Sequence, residues 1–349
     1  MLKKTRVLIV DDSALVREML KKGLSSAPDI EVVGTAPDVY VARDKIVLLK
    51  PDVLTLDIEM PRMDGIDFLK RLMPQYPLPV VVVSAMAEAG ARATLDALEN
   101  GAVDFVLKPS IRIGSQLSEM MEELRAKIRI AFEVDVSKWK RQAPKLRKKS
   151  SSKVLVGTTD KVIAIGASTG GTVALRQMIQ GFPSNMPGTV VVQHMPPMFT
   201  RLFAESLNEA ADVEVKEAET GDRVLTGRVL IAPGDYHLEV FRSGGDYRVK
   251  CRDGEKVNGH RPSVEVLFDS VARSVASNAM GVILTGMGKD GAEAMLGMRQ
   301  AGARTFAQDE ASSVVFGMPK EAYECGGAEK LVNINDMTSV LIKTVEGMK

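Results

Sequence analysis

The chain has 349 residues, which exceeds the size at which one hydrophobic core usually keeps growing, so we expect two domains. Apolar residues make up 45% and charged residues 26% of the chain, a balance that excludes a largely disordered protein. The formal net charge of +1 excludes a global field that would attract nucleic acid or an anionic membrane.

The N-terminus carries no pattern of a secretion signal. Its first apolar run, Val7–Val10, stops at Asp11, whereas a signal h-region needs roughly 7 to 15 apolar residues. No uninterrupted apolar stretch approaches the roughly 18 residues of a spanning helix. We therefore expect a cytoplasmic protein that does not insert into the membrane.

Residues 1–130 contain short apolar runs that alternate with segments of helical spacing, and we assign them to one domain. The predicted strands are Arg6–Val10, Glu31–Thr35, Val53–Leu56, Val80–Ser84 and Asp104–Leu107. Repeated βα units predict a parallel sheet with helices on both faces and ligands at the carboxyl ends of the strands. In the first helix, Ser13 is the expected N-cap and Met19 an expected core residue.

Chemically active side chains follow these strands. Asp11 and Asp12 follow the first strand, Asp57 the third and Lys108 the fifth, and Ser84 ends the fourth. Clustered carboxylates suit Mg²⁺, and an Asp carboxylate can become an aspartyl phosphate. A lysine and a hydroxyl opposite it can bind phosphoryl oxygens. The pattern predicts a phosphate-acceptor site, although each residue alone could simply begin a turn.

Residues 5–129 resemble response-regulator receiver domains in the motifs Asp11-Asp12, Asp57 with Met60-Pro61 and Asp64-Gly65, Ser84-Ala85, and Lys108-Pro109. The resemblance implies a flavodoxin-like (βα)5 fold and phosphotransfer from a histidine kinase to Asp57. It also implies Mg²⁺ bound by Asp11, Asp12 and Asp57, and a switch through Ser84 and Lys108. Phe105 stands where many receivers have tyrosine, so this switching aromatic cannot hydrogen-bond.

Residues 131–160 lose the apolar periodicity and are rich in lysine, arginine and serine, which predicts a basic flexible linker. A basic run can bind nucleic acid, and the alternative function is a receiver-controlled, non-enzymatic regulator that uses this linker for that purpose. From Glu133 to Lys161 the chain has a single aromatic residue, Trp139, and therefore no platform for stacking bases. We expect no nucleic-acid partner.

Residues 161–349 return to an α/β pattern, which predicts a second domain with a doubly wound, mostly parallel sheet. Its predicted strands are Val162–Gly166, Thr189–Gln193, Arg228–Ala232 and Met280–Thr285, and its predicted helices include Thr200–Ala211 and Val264–Ser277. The Gly244-Gly245 pair predicts a hairpin of Leu238–Arg242 and Tyr247–Cys251, which we expect to extend the sheet.

Ser168 lies in the small-residue segment Gly166–Gly171, between a predicted strand and a predicted helix. Such a turn can expose a nucleophilic hydroxyl. A glycine-rich turn before a helix can instead cradle a phosphate, but the dinucleotide fingerprint needs glycine where Ser168 stands. A purely structural tight turn is the third interpretation.

The ends of two other strands favour hydrolysis. His194 follows the second strand of this domain, and Asp290 follows the fourth, so a Ser-His-Asp triad can form at one edge. The backbone N–H groups of Met287 and Gly288 are candidates for the oxyanion hole. His260 is the rival base, ranked second because it precedes a helix; His237 lies within a predicted strand and is most simply structural.

These segments resemble the catalytic domain of the chemotaxis response-regulator methylesterase family, in Gly166–Gly171, Gln193–Pro197, Ile231–Gly234, His260–Ser263, Leu284–Gly288 and Asp290-Gly291. The resemblance implies the triad Ser168, His194 and Asp290. It implies hydrolysis of glutamate methyl esters on chemoreceptors, often with deamidation of glutamines, and no cofactor for the hydrolysis. The residues alone support acyl transfer to water.

Overall fold

A computed structural model describes residues 3–61, 63–85, 87–108, 114–137 and 160–348. The chain divides into two compact units, Met1–Lys145 and Leu146–Lys349. Pro109 and residues 138–159 of the predicted linker lie outside the described residues. The division into 1–130, 131–160 and 161–349 therefore stays a prediction.

The first unit alternates strands and helices, as the sequence pattern predicts. Within its described residues the elements are β1 (Thr5–Val10), α1 (Ala14–Ser25), β2 (Ile30–Ala36), α2 (Val39–Leu49), β3 (Val53–Leu56), α3 (Gly65–Gln75), β4 (Val80–Ser84), α4 (Glu88–Glu99), β5 (Asp104–Leu107) and α5 (Gly114–Glu133). The strands form a parallel sheet in the order β2-β1-β3-β4-β5, which is the flavodoxin-like order. The predicted fold of this unit is confirmed.

Helix α1 differs from the prediction in the face that it buries. Ser13 caps it as expected, but its fully buried residues are Leu20 and Leu24, whereas Met19 is half-buried. A Cβ on Gly23 would overlap the side chain of Met121, so α1 lies very close to α5 at Gly23.

The second unit contains β6 (Val162–Ala167), α6 (Gly171–Ile179), β7 (Gly188–Gln193), α7 (Phe199–Ala210), β8 (Glu214–Glu217), β9 (Arg228–Ile231), β10 (His237–Ser243), β11 (Asp246–Arg252), α8 (Val264–Ser274), β12 (Ala279–Ile283), α9 (Ala292–Gln300), β13 (Arg304–Gln308), α10 (Met318–Glu324), β14 (Lys330–Val332) and α11 (Ile334–Gly347). The main sheet is parallel in the order β14-β13-β12-β6-β7-β9-β8. Strand β6 therefore lies between β7, which follows it in the chain, and β12, which comes much later. The predicted doubly wound fold is confirmed.

The predicted hairpin forms, but it does not extend the main sheet. β10 and β11 pair with each other around Gly244-Gly245 as a separate two-stranded sheet. The hairpin instead packs on α8: Ser270 Oγ accepts from the Val240 backbone N–H at 2.9 Å, and Ser274 Oγ donates to the Val240 carbonyl at 2.9 Å. These bonds satisfy the backbone N–H and carbonyl of Val240, which would otherwise need a neighbouring strand.

Among the described residues, no helix combines the length and the apolar character needed to cross a bilayer.

Candidate phosphate-acceptor and active sites

The carboxyl edge of the first sheet brings together the side chains that the sequence pattern predicts. Lys108 Nζ lies 2.7 Å from Asp57 Oδ2 and 2.8 Å from Asp11 Oδ2. Burial raises the pKa of Asp57 even though the Lys108 ammonium opposes this effect. The two carboxylates outweigh burial at Lys108 and raise the pKa of its ammonium. The lysine therefore holds a positive charge directly against the predicted acceptor.

A hard cation fits the same edge. Oxygen atoms of Asp11, Asp12 and Asp57 all lie within 4.8 Å of one another. Asp11 and Asp57 are buried whereas Asp12 is exposed, so the cluster opens to solvent on one side. An all-carboxylate donor set with an open side suits a hydrated divalent cation that also meets a phosphoryl group.

The predicted switch residues lie on neighbouring strands. Ser84 is buried at the end of β4, where its hydroxyl lies 2.6 Å from the Thr94 hydroxyl of α4. Phe105 is buried in β5, with Lys127 Nζ 5.1 Å from the centre of its ring. The Ser84 side chain thus links the end of β4 to α4.

Ser168 lies on a tight turn between β6 and α6, as predicted. Its N–H donates to the Thr285 carbonyl at 3.0 Å, and its own carbonyl accepts from Gly171 N–H at 2.7 Å. Gly170 has a φ of +77°, a conformation that favours glycine. A Cβ on Gly286 would lie 2.7 Å from Ser168 Cβ, so the loop after β12 reaches the serine closely.

His194 follows the neighbouring strand β7. Its N–H donates to the Ala167 carbonyl at 3.1 Å, which extends the pairing of β6 and β7 by one step. Its Nε2 lies 2.9 Å from Asp290 Oδ2. Because a carboxylate only accepts, Nε2 carries the proton and Nδ1 is the basic nitrogen. Among the described residues, Nδ1 is buried without a hydrogen-bond partner, so the Ser168 hydroxyl does not yet donate to it.

Asp290 is buried at the N-terminus of α8, where backbone and side-chain donors surround it. Oδ1 accepts from Ser263 Oγ at 2.7 Å and Asn258 Nδ2 at 2.9 Å, and Oδ2 accepts from Val264 N at 2.7 Å. Burial alone would raise the pKa of Asp290, but the hydrogen bond and charge of His194 and the other donors hold it below its usual range. The carboxylate therefore stays ionised beside the imidazole.

Glu265 is the second carboxylate at this helix end, and its environment acts in the opposite direction. Its Oε2 accepts from Gly291 N at 2.9 Å, next to Asp290. Burial, with the negative charges of Asp290 and Asp269, raises the pKa of Glu265 to about 7. Glu265 thus holds the loop of Asp290 through its bond to Gly291, and its raised pKa limits the negative charge that it places beside Asp290.

The two remaining histidines have different surroundings. The ring of His260 stacks on that of His194, with centroids 3.7 Å apart and planes 11° from parallel. His237 is fully buried in β10; its Nε2 lies 2.8 Å from the Glu255 carbonyl, and its Nδ1 accepts from Ser263 N at 3.3 Å. These backbone contacts agree with a structural role for His237.

The oxyanion candidates lie in the loop that touches Ser168. Met287 and Gly288 are exposed, and Gly288 has a φ of +85°. In the described part of the chain, the N–H groups of these two residues donate no hydrogen bond. Their role as oxyanion donors therefore stays a prediction.

Sequence reasoning missed several residues that assemble this site. Gln193 Nε2 donates to the Ser168 carbonyl at 3.0 Å and so ties the serine turn to β7. Thr285 Oγ1 donates to the Thr169 carbonyl at 3.0 Å. Both are polar residues at the ends of apolar strands, which was an available signal. The Asn258-Gly259 pair was another, since it is typical of a tight hairpin turn.

Comparison with known proteins covers both units. Residues 163–341 match the family model of CheB methylesterase, and residues 7–122 match that of the response regulator receiver domain. A protein-glutamate methylesterase/protein-glutamine glutaminase of Syntrophotalea carbinolica is 60% identical over 97% of each chain. That of Salmonella typhimurium is 51% identical over 98% of this chain and 97% of the relative.

A solved structure agrees with these matches. The crystal structure of the Thermotoga maritima CheB methylesterase catalytic domain is 39% identical to this chain. The match covers 53% of this chain and 98% of the solved domain, with a TM-score of 0.52. The non-enzymatic alternative gains no support from any of these comparisons. A receiver domain followed by a CheB methylesterase domain, matched over nearly the whole length, shows that this chain belongs to the CheB methylesterase family.

Proposed function

We propose that this chain hydrolyses methyl esters of glutamate side chains on chemoreceptors, and deamidates glutamines there, under control of phosphorylation at Asp57. The observation that carries this proposal is the buried His194–Asp290 pair at the strand end beside Ser168, with Nδ1 of His194 unpartnered among the described residues. The names of the relatives support the substrate class.

In the proposed reaction, the Ser168 hydroxyl rotates toward His194 and attacks the ester carbonyl carbon while Nδ1 takes its proton. Asp290 holds the ring and offsets the positive charge that develops on it. The N–H groups of Met287 and Gly288 bind the oxyanion. His194 then returns the proton to the departing methoxide, which leaves as methanol.

Water completes the cycle by the same route. His194 takes a proton from water, which attacks the glutamyl ester of Ser168, and the serine oxygen regains that proton as glutamate leaves. With a glutamine substrate, ammonia replaces methanol as the first product. No cofactor is needed for these steps.

Phosphorylation would use the first unit. A histidine kinase is the proposed phosphodonor and Asp57 the acceptor, with Asp11, Asp12 and Asp57 holding Mg²⁺. When bound, the cation would offset the negative charge of the phosphoryl group. Lys108 lies against Asp57 and Asp11, so a phosphoryl group on Asp57 would compete with Asp11 for the ammonium. Ser84 would then turn toward the new oxygens and carry α4 with it.

Methanol release from methylated receptor membranes tests this function, with and without a small acyl phosphate as phosphodonor. Ser168→Ala, His194→Ala and Asp290→Ala should each lose nearly all hydrolysis, with strongly non-additive losses because the residues act as a unit. A folded Ser168→Ala protein with wild-type methanol release would remove the nucleophile assignment. Asp57→Asn should keep the basal rate and lose the response to the phosphodonor.

A further inference from the structure

A tight turn formed by Val257, Asn258, Gly259 and His260, here called the 257–260 turn, approaches the active site from outside the main sheet. Val257 N donates to the His260 carbonyl at 3.1 Å, and His260 N donates to the Val257 carbonyl at 2.9 Å. Asn258 has a φ of +52° and Gly259 a φ of +83°. Two central residues with positive φ and two closing hydrogen bonds describe a type I′ turn, which orients its side chains rigidly.

Two side chains of this turn reach the two partners of the buried pair. Asn258 Nδ2 donates to Asp290 Oδ1 at 2.9 Å. The His260 ring lies on the face of the His194 ring at 3.7 Å. Since His194 and Asp290 are themselves joined at 2.9 Å, one four-residue turn contacts both ends of a single hydrogen bond.

We propose that the 257–260 turn positions the catalytic pair, with Asn258 fixing the carboxylate and His260 fixing the plane of the His194 ring. This inference rests on the proposed function of His194 and Asp290. It makes both turn residues positioning residues, which act through the pair and need not touch the substrate.

The role of His260 follows from the tilt of the His194 ring, which one hydrogen bond does not fix. The bond from Nε2 to Asp290 restrains one edge of the His194 ring, but hydrogen bonds tolerate a broad range of angles. A flat ring stacked on its face restrains the tilt and so the direction of the Nδ1 lone pair.

The role of Asn258 follows from the geometry of the carboxylate. Val264 N and His194 both bond Oδ2, whereas Asn258 and Ser263 bond Oδ1. Ser263 and Val264 approach from the start of α8. Asn258 comes from a different segment, so it restrains Oδ1 from a second direction that does not depend on the helix.

The test uses the full-length chain, activated with acetyl phosphate, and measures kcat and KM for methanol release from methylated receptor membranes. His260→Ala should lower kcat by roughly three- to tenfold, the loss expected for one aromatic pair, with little change in KM. His260→Phe restores a flat ring without a titratable nitrogen and should recover most of that loss. His260→Leu restores bulk without a flat ring and should stay near the alanine variant.

Asn258 needs a variant that keeps the backbone of the turn. Asn258→Gly removes the amide but allows positive φ, and it should lower kcat by roughly three- to tenfold because other donors to Asp290 remain. Thermal melting of each variant monitors folding, and a variant with wild-type melting and lowered kcat supports positioning.

The outcomes distinguish a failure of this inference from a failure of the proposed hydrolase function. An active, folded His194→Ala protein would overturn the proposed function itself. An inactive His194→Ala with wild-type kcat in both His260→Ala and Asn258→Gly would overturn the positioning role alone. Equal inactivity of His260→Phe and His260→Ala would also overturn it, because a ring nitrogen of His260 would then take part in the chemistry.

Discussion

At the residue scale, two carboxylates at the start of α8 show how local surroundings decide charge. Asp290 collects donors from His194, Ser263 and Val264, which hold its pKa below the usual range. Glu265 is only half-buried but has fewer donors and lies beside that negative charge, so its pKa rises to about 7. Asp290 is thereby kept ionised, and the neighbouring carboxyl of Glu265 can accept a proton near neutral pH.

The raised pKa of Glu265 predicts a pH-dependent stability. The folded state binds this proton more tightly than the unfolded state, whose carboxyl has its ordinary pKa of 4.5. The stabilisation is therefore complete below about pH 4.5 and is lost as pH rises through about 7. Solvent screening of a half-buried group limits the effect to about 1 kcal/mol.

Glu265→Gln should remove this dependence, since the amide oxygen can still accept from Gly291 and carries no charge. Urea unfolding of the C-terminal fragment should show the variant gaining on the wild type between acidic and mildly alkaline pH. Glu310→Gln, at an exposed position, serves as the control and should follow the wild type. A constant difference between Glu265→Gln and wild type at all pH values would contradict the assignment.

Gly286 gives a second test at this scale. An added Cβ there would lie 2.7 Å from Ser168 Cβ and 2.5 Å from Met318 Sδ. Gly286→Ala should therefore displace the serine turn, destabilise the unit by about 1 to 3 kcal/mol and lower methanol release. Gly297→Ala in α9 is the matched control, because nothing lies within 4 Å of its added Cβ. Wild-type activity in Gly286→Ala would show that the two loops can separate without cost.

Sequence reasoning proposed Ser168, His194 and Asp290 because each follows a strand of one parallel sheet, and that edge does gather them. The structure adds Asn258 and Glu265, which come from a turn and a helix outside that sheet. Their proximity depends on how the hairpin and α8 pack, and no spacing along the chain encodes it.

At the element scale, α1 shows the limit of helical spacing as a guide. Leu15 and Met19 are four residues apart and so lie on one side of the helix, yet Leu15 is 78% exposed. The buried residues are Leu20 and Leu24, which are also four residues apart and form a neighbouring row. Both rows are apolar, so spacing along the helix does not decide between them; the packing of α1 against the rest of the unit does.

This difference predicts unequal costs for two leucines of one helix. Leu24→Ala removes a fully buried side chain and should destabilise the first unit by about 2 to 5 kcal/mol. Leu15→Ala at the exposed position should change stability by less than about 0.5 kcal/mol. Thermal or urea unfolding of the two variants measures both values, and equal destabilisation would contradict the difference in burial between the two leucines.

The strands that sequence reasoning omitted are short. β8 and β14 form the two edges of the second sheet, with four and three residues, and β13 begins and ends with polar residues. Edge strands bury less of their surface than central ones, so they need no continuous apolar run. The central strands β6, β7 and β12, which precede the candidate residues Ser168, His194 and Asp290, were all predicted.

At the scale of the whole molecule, the two units predict independent folding and coupled activity. A fragment beginning near Lys153 should hydrolyse receptor esters faster than the unphosphorylated full-length chain, if the receiver restrains the enzyme. Coupling energies between sites are typically about 1 to 3 kcal/mol, so phosphorylation should activate the full chain by roughly 5- to 150-fold. Methanol release by both proteins, with and without acetyl phosphate, measures this.

Asp57→Asn in the full chain is the control for this prediction and should not respond to acetyl phosphate. Equal rates of the fragment and the unphosphorylated full chain would exclude restraint by the receiver. Activation would then have to come from contacts that the phosphorylated receiver adds.

The side chain of Val264 limits which residues can stand at two glycine positions beside it. Its backbone N–H bonds Asp290, and its side chain fills the space where a Cβ on either Gly166 or Gly291 would lie. A methyl group cannot be gained at position 166 until the residue at 264 becomes smaller, whereas Gly291 also has a φ of +88° that disfavours other residues. The residues at 166 and 264 are therefore coupled, and an alanine at 166 fits this packing only together with a smaller residue at 264.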